Sequence, residues 1–148
     1  MKILLAESDE DIEACYTVMR ALRPHIDESE FVGRVRRQEK SGYRLAMAIE
    51  APEVVAVAGF RIGESLAWGR FLYVDDLVTA AAHRSQGYGS ALLAWLRATA
   101  QGEGCDQLHL DSGLARERAH RFYAREGMER ASYHFTMRVP SSGGPNSP

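Results

Sequence analysis

The chain has 148 residues, of which 45% are hydrophobic and 26% charged, and these values are ordinary for one soluble globular domain. Its formal net charge of −2 lacks the basic excess typical of nucleic-acid-binding domains, so we expect no nucleic-acid partner. Five scattered histidines and two cysteines show no metal-ligand spacing, so we expect no metal site. We identify no signal peptide and no apolar run of membrane-spanning length, and therefore expect a cytoplasmic protein.

In the first half of the chain, hydrophobic periodicity predicts one strand, two helices and three further strands. The first strand is expected over residues 2–6, and a helix follows from a Ser8 cap to about Leu22. A second helix, over residues 27–40, has acidic residues at its start. Alternating apolar and polar side chains then predict three strands, over residues 43–50, 54–62 and 70–79.

The second half of the chain alternates helices with strands. We expect a helix over residues 88–101, a strand over 105–111, an amphipathic helix over 114–126 and a last strand over 131–139. The residues of the amphipathic helix expected to face inward are Ala115, Ala119, Phe122 and Tyr123. The order β-α-α-β-β-β-α-β-α-β predicts an α/β fold with a mixed central sheet flanked by helices. It forms a single domain over residues 1–139, and residues 140–148 are expected to be a disordered tail.

The segment Arg84–Ser90, RSQGYGS, places two glycines where the predicted helix begins. A helix start has unpaired N–H groups and a partial positive charge, and glycine lets a ligand approach the backbone closely. These features favour a phosphate site, although the alternative is that Gly87 and Gly89 only shape a turn. Two other nucleotide loops are excluded, because no lysine follows either glycine, as a Walker A loop requires, and Leu92 stands where GxGxxG needs its third glycine.

The glycine loop and its surroundings resemble the GNAT superfamily of N-acetyltransferases, whose coenzyme A loop has the pattern Gln/Arg-x-x-Gly-x-Gly/Ala. The resemblance runs from the strand LYVDDLVT through the loop to LHLDSG and AHRFYAREGM. It covers most of residues 1–139, is strongest over 72–128, and implies a GNAT-like fold with acetyl-CoA as cosubstrate. Two departures are Met128, which replaces a frequent aromatic residue, and the missing asparagine near the start of the last helix.

The resemblance also implies which residues bind the cofactor. The loop amides would converge on the pyrophosphate of coenzyme A, with added charge from Arg84, and the preceding strand would pair through its main chain with the pantetheine arm. The residues assigned to coenzyme A are Leu77, Val78, Thr79, Arg84, Ser85, Gln86, Gly87, Tyr88, Gly89, Ser90 and Phe122.

Three side chains are candidate catalysts. Asp75 and Asp76 lie in an apolar strand, where a carboxylate costs free energy unless it is partnered or functional, and the alternative is a capped structural acid. Strand alternation would direct the two carboxylates to opposite faces, whereas a bulge would bring both to one side; the resemblance favours Asp75. Tyr123 matches the family's frequent general acid, and its alternative role is a core tyrosine with a satisfied hydroxyl.

These observations predict an enzyme that transfers the acetyl group of acetyl-CoA directly to a primary amine of a small molecule or peptide in a ternary complex. An alternative from another class is a non-catalytic acyl-CoA-binding or regulatory module that kept the loop and lost turnover. A third interpretation, a toxin acting on charged transfer RNA, is disfavoured by the net charge of −2. The sequence leaves open the acceptor, the acyl-chain preference and the oligomeric state, a homodimer included.

Overall fold

A computed structural model of the protein describes residues 1–141, so residues 142–148 of the predicted tail lie outside the described residues. The chain divides into two units, Met1–Leu110 and Asp111–Pro148. The elements of the first unit are, in chain order, β1 (Lys2–Leu5), α1 (Asp9–Leu22), α2 (Glu28–Glu39), β2 (Arg44–Glu50), β3 (Glu53–Ser65), β4 (Gly69–Thr79), a 3₁₀ turn (Ala81–His83), α3 (Tyr88–Gly102) and β5 (Gln107–Leu110). The second unit contains the helix α4 (Glu117–Arg125).

Helix α1 begins where the sequence predicts, because Ser8 caps its first turn. The Asp11 N–H donates to the Ser8 hydroxyl over 3.1 Å, and the three acids of this turn suit the positive end of the helix dipole. The apolar stripe of α1 is buried in one cluster with Phe31 and Val35 of α2. The members of this stripe are Ile12, Cys15, Val18 and Met19. The two helices therefore form one layer.

The five strands form one sheet in the order β1-β2-β3-β4-β5. The first three pairings are antiparallel, and β4 pairs with β5 in parallel. In the middle of β3, Val57 joins the cluster formed by α1 and α2, whereas the ring of Phe60 meets that of Trp95 in α3. Because alternate strand residues face opposite sides, the helices cover both faces of the central strands. The predicted α/β fold class with a mixed sheet is confirmed.

The second unit corrects two expectations. Residues 131–139, which the structure describes, form no strand, and the apolar members of their alternating pattern are more than four-fifths exposed. These members are Tyr133, Phe135, Met137 and Val139. Alternation defines an apolar face, but a strand also needs hydrogen-bonded backbone and cover for that face, and neither is present here. Helix α4 begins at Glu117, three residues later than predicted, and Ala115 is exposed rather than inward-facing.

Candidate active site

A β-bulge lies at the acidic pair of β4. Gly59 of β3 pairs with Asp76, and the next β3 residue, Phe60, pairs with Val74, so Asp75 is the additional residue on β4. A bulge of this kind interrupts the strict alternation of side chains. Both aspartates consequently join one network with side chains from the C-cap of α1, from α2 and from β3, as a bulge was expected to allow.

The Asp76 carboxylate is held at both of its oxygens. The Arg23 Nε–H donates to Oδ1 over 2.8 Å, and the Tyr43 hydroxyl donates to Oδ2 over 2.8 Å. Only 12% of the Asp76 side chain is exposed, so these charge-assisted bonds replace most of its hydration. Burial, followed by the nearby Asp76 carboxylate, raises the pKa of Tyr43 well above its ordinary value, and its hydroxyl stays a donor.

The Asp75 carboxylate has a different environment. Its Oδ2 accepts from the Arg61 Nε–H over 2.8 Å, and Oδ1 has no hydrogen-bond partner within the part of the chain that the structure describes. Arg61 is oriented in turn by Gln38 of α2, whose side-chain oxygen accepts from the second arm of the guanidinium over 3.0 Å. Burial raises the pKa of Asp75, and Arg61 partly opposes this increase. Asp75 is thus the carboxylate with an oxygen available to another group.

The packing of Gly59 explains how Tyr43 reaches the bulge. A Cβ placed on Gly59 would collide with the Tyr43 hydroxyl and would lie 2.5 Å from Asp76 Oδ2. The Tyr43 side chain, whose ring also has the Arg61 guanidinium 5.5 Å from its centroid, therefore crosses directly over this glycine. Glycine is required here for close approach rather than for an unusual backbone conformation.

The predicted glycine loop follows β4 and the 3₁₀ turn. Gly87 precedes α3 with φ = +85°, in the left-handed region that suits glycine, and Ser85 adopts φ = +64°. The first intrahelical bond runs from the Ala91 N–H to the Gly87 carbonyl, and within residues 1–141 no side chain caps this helix start. The amides of Tyr88, Gly89 and Ser90 consequently precede the hydrogen-bonded ladder of α3.

Two acids, one at the end of β2 and one at the start of β3, flank this loop. A ring nitrogen of His83 lies 3.1 Å from Glu53 Oε2, and the Tyr88 hydroxyl donates to Glu50 over 3.1 Å. The residues between His83 and Tyr88, Arg84–Gly87, are exposed. The loop is thus anchored at its two ends while its middle remains accessible.

The last part of β4 has an open side. Its parallel pairing with β5 ends at Val74, opposite Leu110, whereas its pairing with β3 continues to Thr79. The predicted pantetheine contacts, Leu77, Val78 and Thr79, therefore have β3 on one side and lack β5 on the other. An extended ligand could form main-chain hydrogen bonds along such an edge.

In the second unit, Phe122 and Tyr123 are adjacent on α4. Their rings meet edge to face with centroids 5.4 Å apart, and both side chains are half-buried. Burial raises the pKa of Tyr123, and Arg116 lowers it by a smaller amount. At neutral pH the Tyr123 hydroxyl consequently carries its proton.

The structure also reveals site residues that sequence reasoning missed, namely Arg23, Tyr43, Gly59 and Arg61. Arg23 and Tyr43 are separated from Asp76 by 53 and 33 positions, and such distances leave no local motif. A glycine inside an apolar strand was the available signal for Gly59, since it indicates a bulge or a close approach.

Within residues 1–141, no group of three or more His, Cys, Asp or Glu side chains is arranged to hold a metal ion. No helix in the same range is long and apolar enough to cross a membrane.

A family comparison decides the classification. The model of the acetyltransferase (GNAT) family matches residues 8–128, which is most of the chain. This chain belongs to the GNAT acetyltransferase family. The resemblance inferred from the sequence, and the assignment as an acetyltransferase, are confirmed.

Relatives of this acetyltransferase agree with that classification. The chain is 35% identical over 134 residues to the uncharacterized N-acetyltransferase YhdJ of Bacillus subtilis, covering 89% of this chain and 94% of the relative. It is 34% identical over 95 residues to the aminoalkylphosphonate N-acetyltransferase of Salmonella typhimurium, covering 64% and 60%. The solved structure of AAC(6')-Iy, in complex with the bisubstrate analog CoA-S-monomethyl-acetylneamine, superimposes with a TM-score of 0.79 at 14% identity, covering 95% and 98%, and shares the fold.

Proposed function

We propose that this acetyltransferase transfers the acetyl group of acetyl-CoA directly to a primary amine of a small molecule or peptide in a ternary complex. The observation that carries the proposal is the combination of family membership with an open glycine loop next to a bulged acidic strand. Transfer then depends mainly on holding the amine nitrogen against the thioester carbon.

The residues around the loop fit coenzyme A. The amides of Tyr88, Gly89 and Ser90 precede the helix ladder, and Arg84 adds positive charge, as a pyrophosphate requires. Ser85, Gln86 and Gly87 are exposed, so their backbone is accessible. The open side of β4 suits the pantetheine arm, and Phe122 is the proposed aromatic contact from α4. The related fold with a bound coenzyme A analog supports this assignment.

The proton balance assigns roles to two side chains. The acceptor ammonium loses a proton and the neutral nitrogen attacks the thioester carbon. As the amide forms, the nitrogen loses a second proton, the C–S bond breaks and the departing thiolate takes a proton, so that one proton is released in all. Asp75 is the proposed acceptor of the first proton; because its ordinary pKa of about 3.9 is far below the 10.4 of an alkylammonium, it acts through water or by binding the ammonium. Tyr123 is the proposed donor of the proton that the thiolate takes, since a phenol of pKa about 10 can protonate a thiolate whose acid has a pKa near 8.5. The second proton lost by the nitrogen then restores the Tyr123 hydroxyl.

The acceptor class follows from a relative and from charge. The Salmonella relative is named for aminoalkylphosphonates, so these compounds come first in an acceptor screen. At the bulge, Arg23 pairs with Asp76 and Arg61 pairs with Asp75. These four charged side chains together have no net charge. An acceptor that carries its own anionic group is therefore not repelled by this site.

Binding and turnover test the proposal separately. Acetyl-CoA at millimolar concentration should raise the melting temperature of the protein, and Gly89→Trp should abolish that shift without unfolding it. Thiol release should then be measured with aminoalkylphosphonates, polyamines, amino acids and peptide N-termini. A wild-type protein without a melting shift would contradict the role of the loop. A shift with no amine-dependent thiol release would favour the non-catalytic module.

A further inference from the structure

The unequal hydrogen bonding of the two carboxylates points to a function for the residues that surround them. Asp76 has donors at both oxygens, whereas Asp75 has a donor at one. A carboxylate has about four lone-pair sites, so one donor at each oxygen fixes the position of Asp76, whereas the second oxygen of Asp75 has no donor among the described residues and is open to another group. The groups that hold Asp76 therefore fix the bulge and with it the position of Asp75.

Arg23 binds the bulge at two points. Its Nε–H donates to Asp76 Oδ1, and its second arm donates to the Asp75 carbonyl oxygen over 2.9 Å. The backbone of Arg23 is itself fixed, because it is the C-cap of α1 and its N–H donates to the Met19 carbonyl over 2.9 Å. The guanidinium thus connects a rigid helix end to the main chain and the side chain of the bulge.

Tyr43 donates a hydrogen bond to the other oxygen of Asp76, Oδ2. The side chain is buried, with 5% of the residue exposed, and it passes over Gly59 to reach the carboxylate. A buried hydroxyl that lost this acceptor would pay a desolvation cost, so the arrangement is well determined.

We propose that Arg23 and Tyr43 are positioning residues for acetyl transfer: together they hold Asp76 at both oxygens and fix the bulge, and so keep the second oxygen of Asp75 in place as the proton acceptor. This inference rests on the proposed function. The charged groups that face Asp75 are Arg61 from β3, Arg23 from the C-cap of α1 and Asp76 from β4, while α2 contributes the neutral Gln38 through Arg61. Arg23 lowers the pKa of Asp75, and its removal consequently raises that pKa.

Conservative variants separate positioning from folding. Arg23→Lys keeps the charge, but an ammonium lacks the planar guanidinium geometry that bonds the Asp76 carboxylate and the Asp75 carbonyl together. Arg23→Gln also removes the charge. Tyr43→Phe removes one hydroxyl and keeps the ring in place. Matched controls are Arg20→Lys and Arg20→Gln on the exposed side of the same helix, and Tyr16→Phe, which removes the 2.6 Å bond from the Tyr16 hydroxyl to the Ile26 carbonyl.

We expect kcat to fall about 10- to 100-fold in Arg23→Lys and about 10-fold in Tyr43→Phe, with the KM for acetyl-CoA unchanged, because misplacement of about 1 Å at the reacting groups can cost that much. Since Asp75 must be ionised, activity is lost as the pH falls through its pKa. In Arg23→Gln this acidic limb should move to higher pH, and in Arg23→Lys it should stay close to that of the wild type. The controls should behave like the wild type.

A measurement without turnover completes the test. In ¹³C NMR, the Asp75 carboxyl should titrate at higher pH in Arg23→Gln than in the wild type or Arg20→Gln. Wild-type kcat in folded Arg23→Lys and Tyr43→Phe, or an unchanged Asp75 titration in Arg23→Gln, would overturn the inference. A wild type inactive with every amine would contradict the proposed function instead, and the titration would still test how Arg23 acts on Asp75.

Discussion

The β4 bulge and the glycine loop are neighbours in sequence, yet they are built in opposite ways. At the bulge, side chains from α1, α2 and β3 bond to the two carboxylates or to their partners. At the loop, the shape comes from backbone conformation, with positive φ at Ser85 and Gly87, and the middle residues are exposed. The bulge is preorganised by charged side chains, whereas the middle of the loop is exposed.

This difference has a practical consequence. Substitutions at the bulge should change turnover or stability, because both aspartates are hydrogen-bonded to neighbouring side chains. Substitutions at the loop should act through backbone strain and access of the cofactor.

The largest effect is expected outside both regions, at the proposed acid. Tyr123→Phe keeps the ring and its contact with Phe122 but removes the proton donor, so turnover should fall about 10²–10⁴-fold with little change in acetyl-CoA binding. Steady-state thiol release and the acetyl-CoA melting shift measure the two quantities. Equal turnover in the variant would make Tyr123 a structural residue and leave the bulge to provide the chemistry.

The second effect distinguishes the two acids. Asp75→Asn should lower turnover about 10²–10³-fold and leave the melting temperature close to that of the wild type, because it removes the available proton acceptor. Asp76→Asn should lower turnover less than Asp75→Asn but should lose about 1–3 kcal/mol of stability, because Arg23 and Tyr43 lose a charged partner. Chemical denaturation and turnover should be compared in both variants. Full activity in both, and in the double variant, would remove the carboxylate base from the mechanism.

The third effect tests the close approach of the Tyr43 side chain to Gly59. Gly59→Ala should destabilise the fold by about 1–3 kcal/mol and lower turnover, because the new Cβ displaces the Tyr43 hydroxyl from Asp76. Gly33→Ala is the matched control, since a Cβ there meets no described atom within 4 Å and alanine favours the helix by about 0.5–1 kcal/mol. Urea unfolding of both variants gives the comparison. A Gly59→Ala protein as stable and active as the wild type would contradict the close approach.

The smallest effect concerns the backbone of the loop. Gly87→Ala should cost about 1–2 kcal/mol, because its φ of +85° is unfavourable for a residue with a Cβ, although the added atom meets nothing within 4 Å among the described residues. Gly102→Ala, at the end of α3 and without a positive φ, should be neutral or stabilising. Unfolding free energies measure both. Equal stability of Gly87→Ala and the wild type would mean that the loop adopts another conformation in solution.

The sequence determined the features that depend on neighbouring residues. The Ser8 cap, the stripe of α1, the alternation of the strands up to Thr79 and the glycine loop before α3 are local patterns, and the structure contains the elements that they predict. The same reasoning was wrong for residues 131–139, because alternation alone does not provide a pairing partner.

The tertiary structure alone decided how the acidic pair of β4 is placed and hydrogen-bonded. Two adjacent aspartates permit either opposite faces or a shared side, and the choice depends on the register against Gly59 and Phe60. Their different hydrogen bonding depends on Arg23 and Tyr43, which the fold brings from 53 and 33 positions away. Local patterns define the helices and strands, whereas long-range packing gives each aspartate its own arginine partner. Such partners are needed because burial makes an unpaired carboxylate costly in free energy.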